Sequence, residues 1–206
     1  MLTHLEHFLA TVPCSAQPPG FTELLVRAVD PAEAPLAEFD LRGGRFTPAE
    51  IAGLAREHQA ADMSCEITAR WDLWVHDSDT EKWVVRPERL TILCFGPEYD
   101  EGACAESGHF LVDAGFEHLF TGHAGLLPAR DARPASPEHQ EEARFLLWAS
   151  QPENLREYHD KTRENIRKLM DWMRQAEQAL PVERTRLWSE GEANFEARLD
   201  EILALR

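Results

Sequence analysis

The chain has 206 residues, a formal net charge of −16 at pH 7, 43% hydrophobic residues and six tryptophans. This apolar fraction and the tryptophans exclude an intrinsically disordered chain and indicate one globular domain, alone or with a helical extension. The negative charge disfavours binding to nucleic acid and to anionic membranes. No stretch approaches the roughly 20 apolar residues of a membrane span, and no secretory leader is evident, so we expect a cytoplasmic protein. The richness in Ala, Arg, Leu and Glu suggests a bacterial source.

The first part of the chain predicts two helices and two strands. Apolar residues at helical spacing predict a helix over 2–11, and an apolar run bracketed by turn residues predicts a strand over 21–29. Residues 36–41 are predicted to form an edge strand. The Thr-Pro-Ala-Glu sequence at 47–50 combines an N-cap, a proline at the first helical position and a capping-box glutamate. It predicts a helix from 47 to about 62.

The strongest strand character runs from Glu66 to Gly115 and predicts an antiparallel meander. Four stretches carry it: 66–76, 82–86, 89–95 and 109–115. Pro87 cannot donate a ladder hydrogen bond, so it is predicted to mark a bulge or an edge position. The Asp77-Ser78-Asp79 sequence begins like a calcium loop but lacks the glycine at position 6, so a hairpin turn is the favoured interpretation.

The last 70 residues are predicted to be helical. A helix opens at Ser136-Pro137-Glu138, a long amphipathic helix follows over about 153–179, and a final helix starts at Pro181. The apolar stripe of the long helix comprises Leu155, Tyr158, Thr162, Ile166, Leu169, Met173, Ala176 and Leu180. This stripe is predicted to pack inside the chain or, alternatively, to serve as the interface of a homodimer.

These elements predict an α+β fold with an antiparallel sheet of four to six strands in the N-terminal two-thirds. The sheet is packed by the helix at 47–62 and by a C-terminal antiparallel three-helix segment. Residues 1–123 are predicted to be the sheet domain and 124–136 a proline-rich connection. Residues 137–206 are then the helical segment, packed on the sheet as one domain.

An acidic interval provides the main candidate surface. No Lys or Arg occurs between Arg89 and Arg130, whereas acidic residues are frequent there. The predicted binding surface comprises Glu98, Asp100, Glu101 and Glu106, with Trp74 and Trp83 as an aromatic platform on one sheet face. For the two tryptophans, the favoured alternative is that helices cover this face and make both of them core residues.

A metal site is the second candidate. His118 and His123, with Asp113 or Glu117, supply ligand types that a divalent cation accepts, although their spacing matches no zinc motif. The four cysteines form no CxxC motif. Cys104 lies in the most acidic part of the chain, which disfavours a reactive thiolate.

Two functions are consistent with these features. The first is a non-enzymatic protein-binding module that captures a basic partner with the acidic surface around 98–117, and it requires no cofactor. The alternative is a metal-dependent, hydrolase-like enzyme that uses His118, His123 and nearby carboxylates.

Overall fold

The computed structural model describes most of the chain. The described residues are 2–30, 33–58, 60–77, 79–102, 108–115, 118–121, 147–148, 151–189 and 194–204. Over these residues the fold is α+β, as predicted, with one antiparallel sheet of five strands and five α-helices.

The sheet has the strand order β2-β1-β3-β4-β5. The strands are β1 (Phe21–Arg27), β2 (Ala37–Asp40), β3 (Ser64–Asp77), β4 (Lys82–Phe95) and β5 (Phe110–Asp113). The helices are α1 (Leu2–Thr11), α2 (Pro48–Glu57), α3 (His118–Thr121), α4 (Pro152–Ala179) and α5 (Phe195–Ala204). The predicted edge strand is therefore confirmed as β2.

The chain divides into two compact units, and β3, β4 and α4 each contribute residues to both. The first unit comprises Met1–Asp72, Pro87–Gly115 and Trp172–Val182, and the second comprises Leu73–Arg86, Phe116–Asp171 and Glu183–Arg206. The predicted connection at 124–136 lies outside the described residues, as does the start of the helix predicted at 136–138. The predicted domain boundaries therefore stay predictions.

The core of the first unit includes alternate residues of β3. Ile67, Ala69 and Trp71 fall on one face of the strand and are all buried. The indole of Trp172 packs edge-on against that of Trp71, with ring centroids 5.6 Å apart, and its Nε1 donates to Oγ1 of Thr11 in α1 (3.2 Å). Burial of each large side chain stabilises the fold by about 1.5–3 kcal/mol.

The predicted start of α2 is confirmed in detail, but its predicted end is wrong. The Thr47 hydroxyl accepts a hydrogen bond from the Glu50 N–H, and the Glu50 carboxylate accepts one from the Thr47 N–H, which completes the capping box. The helix ends at Glu57 rather than near Asp62. Residues 60–63 instead bond to the segment after β4, and that contact competes with helix continuation.

Strand β4 runs through Pro87 without interruption. Its ladder with β5 pairs Thr91 with Asp113 and Cys94 with Phe110, so Pro87 lies beyond the end of that ladder, where its lack of an N–H costs no hydrogen bond to β5. The predicted hairpin turn between β3 and β4 is confirmed: Oδ1 of Asp77 accepts the Asp79 N–H (3.0 Å).

The apolar stripe of α4 is confirmed in its middle and incomplete at its start. Tyr158, Thr162, Ile166 and Leu169 are buried, whereas Leu155 is 40% exposed. Two further residues, Asn165 and Trp172, are buried on the same helix face and were not predicted. Since the stripe is buried within the chain, it is already occupied, and homodimer formation stays a prediction.

The final helix begins at Phe195, and the prediction that Pro181 starts it is wrong. Residues 182–186 are exposed and offer no continuous apolar face for a helix to bury. The start of α5 is instead set by Asn194, whose Oδ1 accepts the Ala197 N–H (3.2 Å) in N-cap geometry.

Candidate functional site

The first candidate site is an acidic turn that follows β4, which we define as residues Pro97–Gly102. Glu98, Asp100 and Glu101 are all exposed there. The fourth predicted member of this surface, Glu106, lies outside the described residues. The structure thus presents three of the four predicted carboxylates on one short turn.

Backbone contacts hold the acidic turn on the loop that follows α2. The Gly96 N–H donates to the Met63 carbonyl (2.8 Å), and the Glu98 N–H donates to the Ala61 carbonyl (2.9 Å). The ring of Tyr99 packs against that of Phe95, with centroids 5.0 Å apart. Two loops distant in sequence are therefore joined into one rigid segment.

This junction adds a fourth carboxylate to the surface. Asp62 lies between the two accepting carbonyls, and it is exposed. Sequence reasoning missed it because Asp62 was assigned to the end of α2, on an element with no predicted contact to residues 96–98. An end of α2 at residue 57 would have placed Asp62 in the loop and made it a candidate for this surface.

The backbone of the acidic turn is left-handed at three successive residues. The φ angle is 48° at Asp100, 55° at Glu101 and 84° at Gly102. A left-handed conformation costs glycine little, whereas it costs other residues roughly 1–2 kcal/mol each. Two carboxylate residues therefore hold strained conformations on this turn.

Trp74, one of the two predicted platform residues, lies in the second unit and is held by α4. Its indole Nε1 donates to the Glu164 carboxylate, and Nζ of Lys161 lies 3.7 Å from the ring centroid. Burial acts to raise the pKa of Glu164, but hydrogen bonds from Lys161 and Trp74 outweigh it and lower that pKa. The indole thus has partners within its own unit.

The backbone N–H and carbonyl of Trp74 form hydrogen bonds with the side chain of Asn165. Its N–H donates to Oδ1 of Asn165 (2.9 Å), and Nδ2 of Asn165 donates to its carbonyl (2.9 Å). The same Nδ2 donates to the Leu119 carbonyl in α3 (3.0 Å). One buried amide therefore connects α4, β3 and α3 within the second unit.

Trp83, the other platform residue, belongs to a half-buried aromatic cluster in the second unit. Its ring centroid lies 5.5 Å from that of His76 and 5.6 Å from that of Tyr158. The His76 ring also packs against Trp148 at 4.2 Å. Tyr158 of α4 therefore covers part of this face, but Trp74 and Trp83 are both half-buried rather than core residues, so the aromatic platform stays a prediction.

Two partly buried histidines of the second unit have lowered pKa values. Burial lowers the pKa of His76 and outweighs the nearby carboxylates of Asp77, Glu81 and Glu157. Burial also lowers the pKa of His159. The unfolded chain therefore binds protons on both imidazoles at a higher pH than the folded chain does.

We expect the free energy of unfolding to fall as the pH drops below about 6.5, the ordinary histidine pKa. His76→Phe retains a ring against Trp148 but removes the titration, so it should reduce this slope. Urea denaturation at a series of pH values measures it, with the exposed His109→Gln as control. An H76F slope equal to that of the wild type contradicts the assignment.

Of the predicted metal ligands, only Asp113 has a side chain among the described residues. Asp113 is exposed in β5, and its Oδ1 accepts the Gly115 N–H (2.8 Å). His118 begins α3, but its side chain lies outside the description, as does all of His123. Over the described ranges, no group of three His, Cys, Asp or Glu side chains is positioned to hold a metal ion. The hydrolase-like activity and its metal stay predictions.

Three cysteine thiols lie in surroundings that oppose nucleophilic chemistry. Burial raises the pKa of Cys14 to about 11 and that of Cys65 to about 12, and it raises the pKa of Cys94 as well. These thiols stay protonated at neutral pH, whereas a nucleophilic cysteine must be a thiolate. Cys104 lies outside the described residues.

Comparisons with protein-family models, with curated proteins and with solved structures found no match to this chain. Within the described part of the chain, no helix has the length and apolar character that crossing a membrane requires.

Proposed function

We propose that this chain is a non-enzymatic protein-binding module that captures a basic protein with its acidic turn and the adjoining Asp62. The observation that carries the proposal is the left-handed backbone at Asp100 and Glu101. Glycine would adopt these conformations at less cost, so carboxylate residues at these two positions carry a conformational penalty. Backbone strain of this kind is concentrated at functional sites, because binding supplies a reason to keep it.

The fixed geometry of the acidic turn suits a binding surface. Its backbone is held by hydrogen bonds to the Ala61 and Met63 carbonyls, so little conformational entropy remains to be lost on association. The exposed carboxylates of Asp62, Glu98, Asp100 and Glu101 keep their access to a partner's lysines and arginines.

The charge distribution supports the same partner. The chain carries a net charge of −16, and no Lys or Arg from the interval between Arg89 and Arg130 neutralises the turn. A surface of one sign attracts an oppositely charged protein, accelerates the encounter and disfavours acidic competitors.

The proposal is tested by capture from native lysate on the immobilised full chain, at about 50 mM and about 300 mM salt. We expect a basic protein to be retained at low salt and lost at high salt. The E98Q/D100N/E101Q variant should lose it, because these carboxylates supply the attraction.

The matched control is E33Q/E153Q/E177Q, which removes the same charge from exposed positions elsewhere. It should retain the partner. An equal loss of capture in both triple variants would show that total charge, rather than the acidic turn, controls binding, and the proposal would fail.

A further inference from the structure

An exposed strip of basic and aromatic residues lies between α4 and α5. Residues 184–189 belong to no helix or strand. Arg184 and Arg186 are exposed, and Trp188 is 55% exposed. The intervening Leu187 is half-buried, and its N–H donates to Oε1 of Glu196 in α5 (3.3 Å). We define Arg184, Arg186 and Trp188 as the basic strip; Thr185, between the two arginines, is exposed as well.

The outer side of β2 carries complementary residues at the same spacing of two. Within the described residues, β2 pairs with β1 alone, so its other side is a sheet edge. Leu36 is 59% exposed, and Glu38 and Asp40 are exposed in the strand that follows. The Leu36 N–H donates to the Val26 carbonyl (2.7 Å), so the ladder extends to this residue. We define Leu36, Glu38 and Asp40 as the acidic edge; the Asp40 carboxylate also accepts hydrogen bonds from the Arg42 guanidinium (2.9 and 3.1 Å).

We propose that the basic strip of one copy of this chain adds as an antiparallel strand to the acidic edge of a second copy. The alignment pairs Trp188 with Leu36, Arg186 with Glu38 and Arg184 with Asp40. Each cross-strand pair is then either apolar or of opposite charge, which are the pairs that stabilise adjacent strands. The unpaired backbone groups of an edge strand supply the hydrogen bonds of the added strand.

Charge selects this occupant over a simpler self-association. Pairing β2 of one copy with β2 of another so that Glu38 faces Asp40 would place like charges opposite each other, which is destabilising. The basic strip carries the opposite sign and adds an aromatic anchor, and tryptophan and arginine are enriched among residues that dominate interfaces. We place the two contacts in a two-fold dimer, in which each copy supplies one strip and one edge.

Sedimentation equilibrium of the full chain, at low and high salt and across a range of concentrations, tests the proposal. We expect a reversible dimer that weakens with salt. R186E and E38R should each raise the dimer dissociation constant at least about tenfold, because each places like charges across both contacts. R167E changes the same charge on an exposed position of α4 and should leave the constant unchanged.

Mixing the two variants gives the decisive result. A heterodimer of R186E and E38R contains one native contact and one with its charges exchanged, so it should form more tightly than either homodimer. A monomer at every concentration, or a mixture no tighter than its components, overturns the proposal. The E98Q/D100N/E101Q variant should dimerise normally, which keeps this proposal separate from partner capture by the acidic turn.

Discussion

Asn165→Ala should lower the free energy of unfolding by about 3 kcal/mol, because it leaves three backbone groups in the protein interior without their hydrogen bonds. These groups are the Trp74 N–H, the Trp74 carbonyl and the Leu119 carbonyl, each bonded by the Asn165 amide at 2.9–3.0 Å. Asn165→Asp should cost more, because it loses both donated bonds and places a carboxylate against two carbonyl oxygens. Urea denaturation measures both changes.

Arg167→Ala is the control for Asn165, since Arg167 is exposed two residues further along α4. It should change the free energy of unfolding by less than about 0.5 kcal/mol, as surface substitutions usually do. If Asn165→Ala were as mild as this control, the side chain would not connect α3, β3 and α4 as described.

Gly96→Ala should destabilise the fold by about 2–3 kcal/mol, because overpacking at a site that cannot relax carries such a cost. A Cβ at Gly96 would lie 2.2 Å from the Ala61 carbonyl oxygen and 2.9 Å from the Met63 carbonyl oxygen. Both obstructing atoms belong to backbone, so no side-chain rotation relieves the clash. The variant should also weaken partner capture, because these carbonyls hold the acidic turn.

Gly53→Ala is the matched control for Gly96. A Cβ at Gly53, inside α2, would meet nothing within 4 Å. Alanine has the higher helix propensity, so this variant should be more stable by about 0.5–1 kcal/mol. Thermal or urea unfolding of the two variants should therefore show shifts of opposite sign. A stable Gly96→Ala chain with intact capture would exclude the close packing of residues 96–98 on residues 61–63.

Local signals in the sequence predicted the elements that depend on local physics. The capping box at Thr47 and Glu50 sets the start of α2, and the strand character of residues 66–76 corresponds to β3. The stripe of α4 likewise predicted Tyr158 and Ile166 as buried residues. In each case a few neighbouring residues contain the whole cause, so a single sequence is enough to find it.

The features that the sequence could not predict depend on residues far apart in the chain. Asn165 is polar and was given no role on the helix, yet it is buried because the backbone of Trp74, 91 positions earlier, requires an amide partner. Asp62 joins the acidic turn through contacts between residues 61–63 and 96–98. Periodicity contains no information on such pairings, so tertiary structure was needed to define both the candidate site and its support.

The strain in the acidic turn allows the central proposal to be tested by one paired measurement. The D100G/E101G variant removes two carboxylates and relieves two left-handed residues. Its stability should be unchanged or higher by up to about 1 kcal/mol per site, since relief of strain is partly offset by the greater flexibility of glycine in the unfolded chain.

The control for this variant is E81G, because Glu81 is also acidic and left-handed, with φ of 51°, but lies in the hairpin turn between β3 and β4. The affinity for the captured basic partner should be measured for the wild type, D100G/E101G and E81G under one low-salt condition. The proposal predicts that D100G/E101G binds at least about tenfold more weakly while folding as well as the wild type, and that E81G binds normally. Equal affinity of D100G/E101G and the wild type would contradict it.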